Sequence, residues 1–155
     1  MSKSLNRVTS ALAAAGIPAT IHQMSAATRT AAEAAAGAGV ALDQIVKSIL
    51  LQGASGSLYL FLTAGGNQVD PTRAAALAGE PLHRADADTV RRITGFAIGG
   101  VSPVGHLTPL PIWLDPRLMG FAQVWAAAGT PHHIFAIAPD ALLTMTNATL
   151  APFTA

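Results

Sequence analysis

The sequence predicts an α+β fold: one compact domain spanning residues 1–155, with a mixed, largely antiparallel sheet flanked by short helices. Three observations lead to it. A chain of 155 residues falls in the size range of a single domain and buries roughly two-thirds of its unfolded surface. Helical and strand periodicities are mixed along the chain without the strict alternation of a parallel α/β protein. Several neighbouring strand segments are joined by connections too short for a crossover helix, which leaves antiparallel pairing.

Leu5, Val8 and Leu12 recur at helical spacing and Gly16 with Pro18 stops them, so residues 4–15 read as an amphipathic helix. Ala19 to Gln23 reads as a short strand. Thr30-Ala31-Ala32-Glu33 has capping-box spacing ahead of an alanine-rich helix that ends at Gly37 to Gly39. A turn through Leu42 and Asp43 leads to a strand carrying Lys47, and Gly53-Ala54-Ser55-Gly56-Ser57 turns it back into Leu58 to Leu62 as a hairpin. Gly65-Gly66-Asn67 is a turn, Pro71 opens a helix to about Ala78, and Leu82 to Arg84 is a short strand. Asp86 caps a helix over Ala87 to Ile93. Ile112 to Leu114, Phe121 to Trp125 and Ile134 to Ala138 follow as strands, and Pro139 opens a last short helix.

Composition excludes several functions. Hydrophobic residues make up 51% of the chain and charged residues 11%, against about 25% charged in an average soluble protein. Much of the apolar count is alanine in short helical segments, and no run approaches the ~18 apolar residues of a membrane span. The segment after Met1 lacks the apolar core of a signal peptide, so cytoplasmic residence is the default expectation, with no membrane partner. There is no cysteine, which removes disulfides, thiolate nucleophiles and thiolate zinc sites together. A net charge of +1 is too small to grip a long duplex, so any nucleic-acid contact is local. Arg84, Arg91 and Arg92 fall close enough to form a modest basic patch, or else a solvated helix end.

Two segments stand out. Lys47 is one of two lysines and lies inside the run Ile45-Val46-Lys47-Ser48-Ile49-Leu50-Leu51, where an unpaired ammonium is costly to desolvate. Thr94 to Gly105 carries four glycines and a proline between apolar stretches. Glycines admit close backbone approach and positive φ, so amide groups can converge on an oxyanion or phosphate. The spacing is neither a P-loop nor a dinucleotide fingerprint, and Gly100 to Gly105 misses the nucleophile elbow by one residue.

The five histidines are His22, His83, His106, His132 and His133, none paired at the spacing of a helical zinc hydrolase, so no metal is expected. His132 and His133 are neighbours on a strand, so at most one faces a given pocket. Asp115, ahead of Pro116, suits a turn better than a catalytic carboxylate.

Ile45-Val46-Lys47-Ser48, Thr94 through Gly105, Ile112-Trp113-Leu114-Asp115, Ala128-Gly129 and Pro139-Asp140-Ala141-Leu142 resemble, in order and spacing, the YbaK/ProX family of trans-editing aminoacyl-tRNA deacylases. That family is related to the editing insertion domain of bacterial prolyl-tRNA synthetase, and the resemblance runs from about residue 5 to 150. It implies a YbaK-like fold and hydrolysis of the ester joining a wrong amino acid to the 3′-terminal adenosine of a tRNA, tRNA-Pro foremost. By resemblance, Lys47 holds the terminal phosphate, and the G-x-x-x-P loop from Gly99 to Pro103, with Gly99 and Gly100 central, positions ester and water. Ile45, Ile49, Phe96, Val101, Ser102, Pro103 and one of His132 or His133 are the candidate substrate contacts, and Arg84, Arg91 and Arg92 assist Lys47 on tRNA.

No cofactor is implied. The implied partners are the acceptor end of aminoacyl-tRNA and, on the protein side, a prolyl-tRNA synthetase or an elongation factor. An aminoacyl ester is already activated and the neighbouring ribose hydroxyl can assist, so positioning and electrostatics suffice without a protein nucleophile. Small non-cognate residues are the expected cargo, because one methylene contributes only about 1–3 kcal/mol to rejection. Two other readings stand beside this one: a non-catalytic module that binds tRNA ends or a synthetase, and a small-molecule esterase using Ser102.

Overall fold

The computed structural model describes residues 2–25 and 30–155. Helix α1 (Lys3–Ala14) starts where the Ser2 side chain accepts from the Leu5 N–H, and it buries Leu5, Val8 and Leu12. Strand β1 (Ile21–Gln23) follows, then α2 (Ala31–Ala38), capped by the Thr30 hydroxyl and closed by left-handed Gly39. A single 3-10 turn at Leu42–Gln44 leads into β2 (Val46–Gly53), which hairpins into β3 (Leu58–Ala64). Asp70 caps α3 (Pro71–Ala78), β4 (Leu82–Arg84) returns along β2, and Asp86 caps α4 (Ala87–Thr94). After the glycine loop come β5 (Ile112–Leu114), β6 (Val124–Ala127), β7 (His133–Ile137), α5 (Pro139–Thr146) and β8 (Thr149–Leu150).

The α+β class holds, but the strands form two sheets rather than one. A five-stranded sheet runs β4-β2-β3-β5-β8 and a three-stranded one runs β1-β7-β6. Pairing is antiparallel except at β3–β5 and β5–β8, where long connections bring strands alongside in parallel. The strand expected over Phe121 to Trp125 begins at Val124 instead. Asp115 caps a 3-10 turn over Pro116–Gly120, and Phe121 lies under the Arg117 guanidinium, 4.7 Å from its ring centroid, so the chain is still turning there.

The period-2 alternation of β2 divides the interior. Val46 and Leu50 face the main core with Leu60, Leu62, Leu114 and Phe135, whereas Ile49 and Leu51 face a second cluster around Phe61, Ala74 and Phe153. Lys47 has the parity of this second face. Beyond β3, β2 is paired only at Leu51, Gln52 and Gly53 by β4, and a single parallel bridge from Ile45 to Trp125 joins the two sheets. The edge of β2 between these points is left open, and the site forms along it.

The second cluster is held by Phe61, which stacks on Trp113 at 5.1 Å and meets Phe153 edge-on at 5.1 Å. Phe61→Ala removes a fully buried ring and is expected to lower the unfolding free energy by about 3–5 kcal/mol in urea titration. Leu107, 59% exposed, is expected to tolerate alanine within about 0.5 kcal/mol.

Candidate active site

A cleft of about 720 Å³ opens where the two sheets part. Its floor is β2 from Ile45 to Leu51, and its opposite wall is Trp125 to Ala127 with Ile134. Ala31 and Ala34 of α2 close one side, while Ile98, Gly99 and Val101 of the glycine loop form the other lip. Arg84 stands at the end of the cleft, because β4 places it opposite Leu51.

Lys47 is half-buried on this floor, and its Nζ donates to the Asn67 carbonyl. That carbonyl is held by the turn after β3 and by Asp115, which sequence reasoning assigned to a turn. Asp115 does cap the following turn, with Oδ1 accepting from the Arg117 N–H at 3.0 Å. It is also 3% exposed, and its Oδ2 accepts from Ala64 N–H at 3.1 Å and Asn67 Nδ2 at 2.9 Å. Asp43 accepts from Gly66 N–H at 2.8 Å and from Arg117 Nε at 3.0 Å, and this hydrogen bond holds its carboxyl below the ordinary value. Burial pushes the Lys47 ammonium below the ordinary lysine value, with the carboxylates of Asp115 and Asp43 acting in the opposite sense. The result is a desolvated cation anchored through one N–H on a cleft wall.

Of the residues singled out from sequence, the cleft brings together Lys47, Ile45, Ile49, Gly99, Val101 and Arg84. Gly99 has φ +97° and open space where a Cβ would stand. Gly100 lies just behind it: an added Cβ would stand 2.9 Å from Thr130 Cα, so glycine there is required by the backbone of the protein itself. Phe96, expected as a substrate contact, is instead fully buried beneath Arg7, whose guanidinium carbon is 4.8 Å from the ring centroid. Ser102 is fully buried away from the cleft, with Oγ accepting from Val104 N–H at 3.2 Å. Pro103 lines a separate, smaller cavity on the far side of the loop.

Neither His132 nor His133 reaches the cleft. His132 is exposed at the strand end, and His133 Nδ1 pairs with Thr130 Oγ1 at 2.6 Å, while the next residue, Ile134, faces the cleft wall. Arg91 and Arg92 are exposed on the last turn of α4. Sequence reasoning missed Trp125, Ser48 and the α2 alanines as lining residues. Correct placement of β6 would have found Trp125, since its alternation puts Trp125 and Ala127 half-exposed and Val124 and Ala126 inside. Among the described residues no three His, Cys, Asp or Glu side chains gather as a metal site. No described helix is long and apolar enough to cross a membrane.

Fold and cleft together define an α+β domain with a small-molecule-sized cleft where its two sheets part. The structure superposes over 100% of this chain and 99% of a crystal structure described as a candidate trans-editing enzyme for prolyl tRNA synthetase, with TM-score 0.93 and 46% identity. The aminoacyl-tRNA editing domain matches residues 25–145, and the chain belongs to that family. A candidate Cys-tRNA(Pro)/Cys-tRNA(Cys) deacylase, EbsC of Enterococcus faecalis, is 26% identical over 75% of this chain and 71% of its own length. The proline–tRNA ligase of Bacillus licheniformis is 33% identical over 68% of this chain, which spans 18% of that enzyme. Family and relatives support aminoacyl-tRNA deacylation as the activity.

A testable consequence follows from the buried ammonium. Because its folded-state value lies below its unfolded one, Lys47 leaves the unfolded chain binding more protons as pH approaches 10.5 from below, and so contributes a rise in stability with pH through that window, against the opposite contribution of Tyr59, whose value its hydrogen bond to Glu80 raises. Lys47→Met is expected to abolish this rise and to leave the urea midpoint at neutral pH unchanged or higher.

Proposed function

We propose that the chain is a deacylase that hydrolyses the ester between a small non-cognate amino acid and the terminal adenosine of tRNA, with tRNA-Pro the favoured tRNA. The observation that carries this reading is the cleft itself, a desolvated lysine on one wall and an exposed glycine backbone on the other. Its volume of about 720 Å³ lies within the ~300–1,000 Å³ of small-molecule sites, enough for a nucleotide end with its amino acid. The apolar walls from Ile45, Ile49 and Val101 suit a small aliphatic side chain.

In this mechanism the two free N–H donors of Lys47 hold the phosphate that leads into the terminal adenosine. The ester carbonyl rests against Gly99, where no side chain intervenes. Water adds to that carbonyl, the oxyanion collapses, and the departing ribose oxygen takes up the proton that the water gives up, the vicinal hydroxyl assisting the transfer. The protein contributes orientation and a fixed charge. The reading as an esterase built on Ser102 loses its support, since that hydroxyl is buried and turned from the cleft.

The experiment is a panel of aminoacylated tRNAs incubated with the protein, with loss of ester followed over the uncatalysed background. Alanyl-, seryl-, threonyl- or cysteinyl-tRNA-Pro should be deacylated and prolyl-tRNA-Pro spared; binding without turnover of any of them would make the chain a non-catalytic module. Lys47→Ala should lower kcat/KM about 10–100-fold, the worth of a charge-assisted hydrogen bond, and Ser102→Ala should stay within about threefold. In wild type, background-corrected activity should fall as pH rises through the depressed Lys47 value, below 10.5, and Asp115→Asn should move that fall to lower pH.

With a net charge of +1, tRNA recognition rests on a few contacts near the acceptor end, Lys47 first, Arg84 at the end of the cleft, and Arg91 and Arg92 assisting from the exposed last turn of α4. An acceptor-stem minihelix should therefore remain a substrate, and log kcat/KM should fall with log salt at a slope near −2 to −3, each removed arginine reducing it by about 1. A minihelix left intact while full-length tRNA is turned over would place recognition elsewhere.

A further inference from the structure

The glycine loop is anchored at two ends and bare between them. At its start, Arg7 Nη2 donates to the Gly95 carbonyl, and the same guanidinium covers Phe96. In the middle, Ala97, Ile98 and Gly99 are exposed, Ile98 by 55%, and the turn is closed by Gly100 N–H donating to Ala97 O at 3.1 Å. At its end stands Ser102, whose hydroxyl and carbonyl are both engaged. Its Oγ accepts from Val104 N–H, and its carbonyl lies 2.7 Å from His106 Nε2. A carbonyl only accepts, so Nε2 carries the proton.

The His106 ring is wedged edge-on against Phe96, with centroids 6.0 Å apart. Its other surroundings are a second cavity of about 410 Å³, whose lining includes Ala11, Pro103, Leu110 and Met145, with Thr146 and Asn147 as polar neighbours and no charged residue. Burial disfavours the imidazolium, leaving a neutral ring with one donor and one acceptor.

We propose that His106 is a positioning residue for the deacylation site: its Nε2–H fixes the Ser102 carbonyl, and by holding Ser102 it sets the direction of the preceding Val101 on the cleft wall and, through it, of Gly99 at the reacting ester. The catalytic part of this inference rests on the proposed function; the loop-holding part does not. Gly100 is packed against the Thr130 backbone and tied to the Ala97 carbonyl, but the exposed turn of Ala97, Ile98 and Gly99 buries no side chain of its own, so the direction of Gly99, a residue of wide conformational freedom, depends on such anchors at the ends of the loop.

The test uses three variants of the full chain. A glutamine amide can reach the place of Nε2, an asparagine amide falls short of it, and phenylalanine fills the volume without a donor. Amide hydrogen exchange at Gly100 in the free protein reads loop order, and kcat and KM on the fastest substrate of the panel read catalysis. His106→Asn and His106→Phe should speed Gly100 exchange and lower kcat, each by about tenfold, with KM within about twofold, and His106→Gln should stay within about threefold of wild type in both. Unchanged exchange and kcat in His106→Asn and His106→Phe would overturn the proposal, as would a glutamine variant as impaired as the asparagine one. Should His106→Phe fail to fold, the glutamine–asparagine pair alone decides. If wild type deacylates no tRNA in the panel, the functional reading falls, while the exchange measurement still decides whether His106 holds the loop.

Discussion

An ammonium group inside an apolar strand is the constraint around which the surrounding structure is arranged. Lys47 has no ion-pair partner within contact distance among the described residues, and burial acts against its charge. What offsets that cost is indirect. Asp115, itself held by three hydrogen bonds, orients the Asn67 turn whose carbonyl receives the ammonium. Asp43, tied to Gly66 and Arg117, adds a second favourable field. Charge is thus stabilised at a distance rather than neutralised in contact, which leaves Lys47 able to take up an anion in the cleft. A direct carboxylate contact would have occupied the same donors.

The parity of β2 explains why this arrangement needs an open strand edge. Residues on one face of β2 belong to the main core, those on the other to the cluster around Phe61, and a charge buried fully in either would have no route to a ligand. Pairing with β4 stops at Leu51, and among the described residues the three-stranded sheet is hydrogen-bonded to this region only by the bridge from Ile45, just ahead of β2, to Trp125. The missing pairing between these points is what gives Lys47, Ser48 and Ile49 a common boundary with the cleft. An unpaired internal edge is ordinarily a liability. Here α2 and the glycine loop border it, so the open edge lies sheltered within the cleft.

Local chemistry was legible in the sequence and non-local pairing was not. Thr30, Asp70 and Asp86 cap their helices, and Gly39, Gly79 and Gly95 end them with positive φ, because each effect lies within a turn of the residue that causes it. The division into two sheets, the parallel placement of β5 and the short β8 depend on contacts between segments far apart in the chain, about which periodicity says nothing. The site divides along the same line. Lys47 and Gly99 carry visible anomalies, a charge in an apolar run and a glycine in a loop. Phe96, Ser102 and the histidine pair looked equally eligible until burial and strand parity placed them off the cleft.

The placement of Ser102 bears on how a site without an engaged nucleophile can work. In a loop of glycines, a serine facing the ligand would introduce a competing hydrogen-bonding group beside an activated ester. Turned inward, the same hydroxyl and its carbonyl become fastening points, engaged by Val104 and His106. Rigidity is then supplied from behind the loop, where buried side chains lose little further entropy on binding, and the exposed face is left as bare backbone. Orientation of an ester that needs little activation depends on how narrowly that backbone is held. In the proposed mechanism, the loop's inward contacts therefore matter as much as the groups that would touch the substrate.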